Sequence, residues 1–585
     1  MFLPATRAEK QKLGWKELDI ILVTGDAYID SPFIGVAVIG KLLVAAGYRV
    51  GIIAQPNVET KTDITRLGEP RLFWGISGGS IDSLVANRTA SGRKRKRDDY
   101  TPGGRNTRRP DRAVLIYANL IRKYFKNTKP LVLGGIEASL RRVAHYDYWS
   151  NKVRKSILVD AKAEYLLYGM AEYSVLALAD CLQEGISPNH LRGLCYLAPE
   201  VPEKEKTLLL PSFAEAAADK DVFSRMFMDF YRHNDPVTAQ SLAQQQDTRF
   251  LIQNPPWPTL SSEELDRIHE LEFEREAHPV DAGMGKVKAL ETIRFSLATH
   301  RGCYGECNFC AIAVHQGRTI SRRSIPSIIR EAKQLTRHPA FKGIINDVGG
   351  PTANMYGFEC AKKLSKGVCR KKRCLFPAVC PSMPIDHGPQ IALLRGIRKI
   401  KGVRKVFVAS GIRYDMILAD QKNGRRYLEE IVRHHVSGQM KIAPEHCVDS
   451  VLDCMGKPGT KDLLKFRRLF YSLTEKAKLK QFLTYYIIAA HPGCSREHMQ
   501  QLKRFALKEL KILPRQVQIF TPTPSTFSTL MYWTGKNPLT GRSCFVERSF
   551  QGRERQKQVL TGDSGRKTVG RKKQPPPGQT RKRRR

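Results

Sequence analysis

No stretch of the 585-residue chain approaches the ~20 consecutive apolar residues a membrane-spanning helix requires, so no membrane partner is expected. The opening run MFLPATRAEKQKLGW has neither the apolar stretch nor the cleavage site of a signal peptide. A soluble, cytoplasmic protein is expected. A disulfide framework is missing as well: the thirteen cysteines are odd in number and gather in the second half, which argues against a stapled secreted domain and for a reducing compartment. Acid is the scarce charge, with 56 Asp and Glu against 98 Lys and Arg, a net charge of +42. Such a field attracts polyanions without conferring sequence specificity.

The excess is localised in part. Residues 551–585 hold thirteen basic residues against two acids, and Arg88 to Arg112 hold ten against three. Both stretches are poor in large apolar groups and rich in Gly, Pro, Ser and Thr, so both are expected to be mobile and solvated. The tail suits an RNA or DNA contact, or serves only solubility or addressing.

Length alone suggests about three to four units. From residue 18 short apolar strands alternate with helices: strands Ile20–Val23, Arg49–Ala54, Leu72–Ser77, Leu131–Gly134 and Leu166–Tyr168, and helices Gly35–Ala46 and Ala113–Phe125. That alternation predicts a doubly wound parallel α/β sheet over 15–200, carrying the basic insert 88–112, with Asp26, Ser77 to Ser80 and Gly134 to Ala138 along its ligand-bearing edge. Residues 201–290 read as a connector, and SSEELDRIHELEFERE within it as one exposed helix capped by Ser261 or Ser262. A second series spans 291–545. It begins at Ile293, Phe295 and Leu297, whose period of two marks a strand, and continues through strands near 343–348, 404–409, 439–442, 482–490 and 516–520. Leu463, Phe466, Phe470 and Leu473 share one helix face. Repeated βα units close into a full or partial (β/α) barrel. Residues 546–585 are expected to be a disordered basic tail.

The run Arg301 Gly302 Cys303 Tyr304 Gly305 Glu306 Cys307 Asn308 Phe309 Cys310 follows the first of these strands and places three cysteines as C-x3-C-x2-C. Three thiolates on a 4Fe-4S cluster leave one iron open for a small molecule. Structural zinc prefers four closed ligands, usually as separated pairs; that reading and buried free cysteines remain the alternatives. The triplet is the signature of radical SAM enzymes, with Phe309 in their favoured aromatic position.

The motifs DVGGPTANMYG, VASGIRYD, KIAPEH, AAHPG and MYWTGKNP, with GGIEASLRR in the first unit, resemble the uncharacterised YgiQ-like radical SAM proteins over nearly the whole chain before the tail. The resemblance implies a partial barrel in which Cys303, Cys307 and Cys310 hold the cluster and S-adenosylmethionine (SAM) chelates the open iron. It implies reduction by a flavodoxin- or ferredoxin-type donor and a 5'-deoxyadenosyl radical. Phe309, Gly349, Gly350, Ser410, Arg413, Lys441 and Glu445 then become cofactor-binding candidates. Gly349 and Gly350 match a "GGE" turn that here lacks its acid, Pro351 following instead; a plain Gly-Gly turn, and structural salt bridges for the charged candidates, are the competing readings. The family supplies no substrate; RNA and protein both suit the basic surface. A non-catalytic nucleic-acid-binding protein with a structural metal-cysteine site is the alternative.

The first unit also resembles the cobalamin-binding domains of many radical SAM enzymes, but its loop Asp26 Ala27 Tyr28 Ile29 Asp30 Ser31 has Tyr28 where a ligating histidine would stand, which argues against bound cobalamin. Cys360, Cys369, Cys374 and Cys380 form a candidate second metal site or a set of ordinary buried cysteines, with Arg370 to Arg373 beside them.

Overall fold

The structure is a computed structural model that describes residues 1–562. Its first half is organised by a nine-stranded sheet. In chain order the strands are β1 Leu18–Thr24, β2 Val50–Ala54, β3 Pro70–Ser77, β4 Leu131–Gly134, β5 Tyr165–Leu167, β6 Leu194–Ala198, β7 Thr207–Leu210, β8 Ser241–Gln246 and β9 Arg249–Gln253. Their spatial order is β2-β1-β3-β4-β5-β6-β9-β8-β7. The first five are parallel, and β6, β9 and β8 are each antiparallel to the strand before. Every residue of β1 and β2 is buried, which is why these strands read as unbroken apolar runs rather than alternating ones. The helices α1 Gly35–Ala45 and α2 Glu172–Glu184 cover one face.

Three expectations are corrected here. The segment 201–290 is no mere connector, because β7, β8 and β9 extend the first sheet. Its acidic helix runs only from Ser262 to Glu270, capped by Ser261 with a reciprocal Glu264 bond, and buries Leu265, Ile268 and His269. The insert 88–112 is ordered and half-embedded: Arg109 is fully desolvated between Asp26 at 2.8 Å and Asp98 at 3.0 Å, and Asn106 donates to the Asn87 and Arg95 carbonyls. Its exposed charges, residues 93–97, hide a buried polar framework that composition cannot reveal. In the expected tail, Phe550–Thr561 is a helix, α4, that buries Arg553, Gln556 and Leu560; Gln556 accepts from the Ala490 amide at 2.9 Å. The remainder, 563–585, lies outside the described residues.

The second half holds short parallel strands: β10 Ser296–Ala298, β11 Ile344–Ile345, β12 Asp347–Gly349, β13 Lys405–Val406, β14 Gln439–Glu445, β15 Phe482–Ala489 and β16 Gln516–Ile519. They pair β10 to β12, β11 to β13 and β14 to β15 to β16, all parallel; Val348 N–H to Phe407 O and the Ile412–Ile442 bridge join the pieces. The described residues show no pairing of β10 with β16, so the barrel is partial. Ile293 ends a short helix rather than opening β10. Helix α3, Lys461–Lys476, buries Leu463, Phe466, Phe470 and Leu473, and each such side chain contributes about 1.5–3 kcal/mol.

Candidate active site

The cysteine loop leaves β10 through a backbone only glycine can supply. Gly302 has φ +84, and a Cβ there would lie 2.2 Å from the Thr319 carbonyl. Asn308 then fixes the loop: its amides donate to the Met455 and Cys454 carbonyls at 2.9 Å, its side-chain oxygen accepts from Arg373 at 2.7 Å, and its carbonyl accepts from the Ser528 amide at 2.9 Å. Glu306 accepts from Tyr231 at 3.1 Å and faces Arg318. Cys303, Cys307 and Cys310 are neighbours; burial, helped by the other two sulfurs, pushes the Cys310 thiol up to about 12. Gly305 N–H donates to Cys303 Sγ at 3.4 Å, and Arg413 Nη1 lies 3.9 Å from Cys307 Sγ. Three half-buried thiols in one loop, with an amide and a guanidinium turned on them, suit a group that takes thiolates. Phe309 sets its ring edge-on to His491.

The other candidates fall at the adjoining strand ends. Gly349 ends β12, and Gly350 exists because a Cβ there would stand 2.6 Å from the His300 ring. Ser410 donates to Asp347, which also accepts from the Ala409 and Ser410 amides at 2.8 and 3.1 Å. Burial opposes the charge of Arg413, but Asp415, in a two-pronged pair with it, holds its pKa above the ordinary value. Met440 and Ile442 pack into the helix-side core, so Lys441 and Ala443 turn toward the barrel interior. Beyond a register shift in β14, Glu445 has φ +67; burial raises its carboxyl, against Lys457 and Arg413. Ala490 and Ser525, after β15 and β16, are likewise left-handed at φ +57 and +62. Non-glycine residues in this region are strained, and these three stand at or beyond the ends of adjoining barrel strands.

The carboxyl ends of the first sheet and of β10 and β12 face a common cavity of about 560 Å³. Sequence reasoning missed most of its polar wall. Arg301 pairs with Glu172, at the start of α2, across the junction of the two halves. His269, His300 and His315 also line it, and burial lowers all three, His300 and His315 to about 4. These residues come from distant segments, and nothing in their local spacing announces them. Asp26, foreseen at this edge, is held by Arg109 and the Ser80 amide. Of GGIEASLRR, Glu137 accepts from the Ser83 and Val114 amides, and Arg142 is buried against Tyr168 and Phe230; both are framework.

Tyr28 lies inside the core, stacked on His278 and receiving the Leu3 amide at 3.1 Å. Of the second cysteine group, Cys360, Cys374 and Cys380 pack with Cys303 around Tyr304, Met355 and Leu375, while Cys369 is exposed. Among the described residues no three His, Cys, Asp or Glu side chains, whether at 303–310 or in the second cysteine group, are grouped to hold a single metal ion. No helix among the described residues is long and apolar enough to cross a membrane.

Comparison with known proteins gives the family. The family model "Radical SAM N-terminal" matches residues 2–296, and a domain of unknown function, DUF3362, matches 515–561, from β16 through α4. UPF0313 protein FN0734 of Fusobacterium nucleatum is 54% identical over 561 residues, covering 96% of this chain and 98% of that protein. Among solved structures, the chain is similar to the radical S-adenosylmethionine methyltransferase TsrM of Kitasatospora setae with cobalamin and a [4Fe-4S] cluster bound (14% identity, TM-score 0.46, 86% of this chain and 76% of that one). It is also similar to the cobalamin-dependent S-adenosylmethionine radical enzyme OxsB with aqua-cobalamin bound (12% identity, TM-score 0.48, 90% and 57%). The expectation against cobalamin is corrected: TsrM and OxsB, to which the chain is similar, were solved with cobalamin bound. The chain belongs to the UPF0313 family, with a radical SAM N-terminal domain.

Proposed function

We propose that the chain is a radical SAM enzyme in which Cys303, Cys307 and Cys310 hold a 4Fe-4S cluster and the barrel mouth binds SAM. The observation that carries this is the meeting of three neighbouring thiols, with Arg413 against Cys307 and Thr352, just past the Gly349–Gly350 turn, against Cys303. A cluster held there and reduced by a flavodoxin- or ferredoxin-type donor would supply the electron for cleavage of SAM to methionine and a 5'-deoxyadenosyl radical. The chain's own part is positioning and exclusion of water. Arg413, fixed by Asp415, offers positive charge at the cluster loop. Lys441 and Glu445 offer a cation and a carboxyl for the polar ends of SAM, and Phe309 walls the site. The first sheet covers the mouth, through the Arg301–Glu172 pair and the Ser525 hydroxyl on the Leu140 carbonyl at 2.8 Å, shielding a radical from solvent. RNA and protein side chains both remain substrate classes for this reading. Membership of a radical SAM family does not favour a non-catalytic nucleic-acid binder.

Anaerobic reconstitution tests it. The intact chain should bind about four irons in a Cys303-, Cys307- and Cys310-dependent manner and form 5'-deoxyadenosine with dithionite and SAM. Iron binding that survives the triple alanine variant, or no SAM cleavage even with cell extract added, overturns it.

A further inference from the structure

We propose that the cavity between the first sheet and the barrel is a ligand site in its own right, for a small, largely apolar molecule carrying one anionic group, with that group at the start of α1. Gly349, Gly350 and Ser410 border the same cavity, so the inference deepens the reading above and rests on it for the ligand's use, while binding itself is read without cluster or SAM.

The cavity's place is the first argument. Strand order β2-β1-β3 puts the crossover reversal between β1 and β3, and in open α/β sheets ligands settle outside the carboxyl ends of the strands at that reversal. Here Thr24, Gly79 and Ser80 border it. Its volume of about 560 Å³ is that of a drug-sized site. Phe33, Ile39, Val132 and Ile136 give it an apolar body.

The head group follows from unmet hydrogen bonds. Helix α1 spans eleven residues and starts at the cavity with no side-chain cap. The amides of Ala37 and Val38 fold back on the Ile34 carbonyl, while those of Gly35 and Val36 meet no acceptor. Free amides at a helix start favour an anion. Independently, His300 and His269, 2% and 4% exposed on the same wall, leave Nε2 and Nδ1 without partners, an arrangement that costs stability until something polar arrives. Arg301 faces Glu172, Asp26 faces Arg109, and Asp347 accepts from the amides of Ala409 and Ser410, while one oxygen each of Glu172 and Asp26 has no hydrogen-bond partner. With Arg301 already paired, the helix start is the attraction this wall offers an anionic group.

The test uses the full chain with 1-anilinonaphthalene-8-sulfonate and its uncharged counterpart N-phenyl-1-naphthylamine. One saturable site per chain is expected, with the sulfonate bound about threefold or more tighter. Val36→Asp supplies the helix with its own carboxylate and should remove that preference while sparing the uncharged probe. A Cβ on Gly134 meets only the Leu167 carbonyl, at 3.9 Å, so Gly134→Leu should fill the space and weaken both probes about tenfold. In the wild-type chain, the sulfonate should slow amide exchange across 33–39. Unsaturable binding, unaltered binding by folded Gly134→Leu, or no exchange protection overturns the site; equal affinities for the two probes overturn the anionic head.

Discussion

Replacing Arg301 by methionine removes the charge that Glu172 faces where the two halves of the molecule meet. The pair is nearly dry, with side chains 11% and 4% exposed, and the second Glu172 oxygen has no partner. Truncating one member strands the other as a buried charge, at a cost of about 3–5 kcal/mol. A Coulomb estimate for unit charges ~4 Å apart at an effective dielectric of 20, about 4 kcal/mol, agrees in size. Arg301→Met should therefore cost about that much, and Glu172→Gln somewhat less, since a guanidinium near the cavity keeps some solvent. The double variant should recover at least half the loss, because no lone charge remains. A chain this long need not unfold in two states, so the deciding assay is hydrogen exchange at 169–173 and 300–303, with urea midpoints beside it. Arg301→Met within about 1 kcal/mol of wild type, or a double variant as unstable as the two losses added, refutes the reasoning.

Acid should destabilise the fold. Burial lowers His145, His300, His315, His435, His446 and His491 to about 3–4, below the unfolded ~6.5, so the unfolded chain binds more protons and stability is lost as pH falls from about 6.5 toward 4. Six such groups give a slope near 8 kcal/mol per pH unit; Asp26, Asp30, Glu137 and Glu445, whose raised carboxyls act in the opposite sense, reduce it to a few. Melting temperatures between pH 7 and 5 check this, and a flat profile contradicts it. Gly350→Ala drives a Cβ to 2.6 Å from the His300 ring and 2.8 Å from its carbonyl, costing about 1–3 kcal/mol in thermal melts, with Gly134→Ala near neutral as control. Arg413→Met leaves Asp415 unpaired beside the thiols and should at least halve reconstituted iron per chain; undiminished iron argues against a role at the cluster loop.

What the sequence made legible follows from how each element earns its burial. The central strands of the first sheet are sealed on both faces and bounded by glycines, so their apolar runs located them to within a residue or two. Of the last three strands, β9 is legible as the short run Arg249 to Ile252, while β8, Ser-Leu-Ala-Gln-Gln-Gln, hid because it carries glutamines that are satisfied in place: Gln244 accepts from the Ala144 amide at 2.8 Å. Composition marked residues 88–112 as solvated, yet Asp98, Asn106 and Arg109 solve their own desolvation by pairing. The thiol loop was visible because its spacing is local. The histidine wall was invisible because 269, 300 and 315 meet only through the fold.

Asn308 has a temporal meaning. Its partners belong to residues 373, 454, 455 and 528, so the loop that presents the three thiols cannot take its shape on a ribosome that has released only the residues up to 310. More than two hundred further residues must emerge and fold before the last anchor, Ser528, arrives. Loading of any inorganic group at these thiols belongs to maturation after synthesis, and a chain cut short of that serine should be made but never charged.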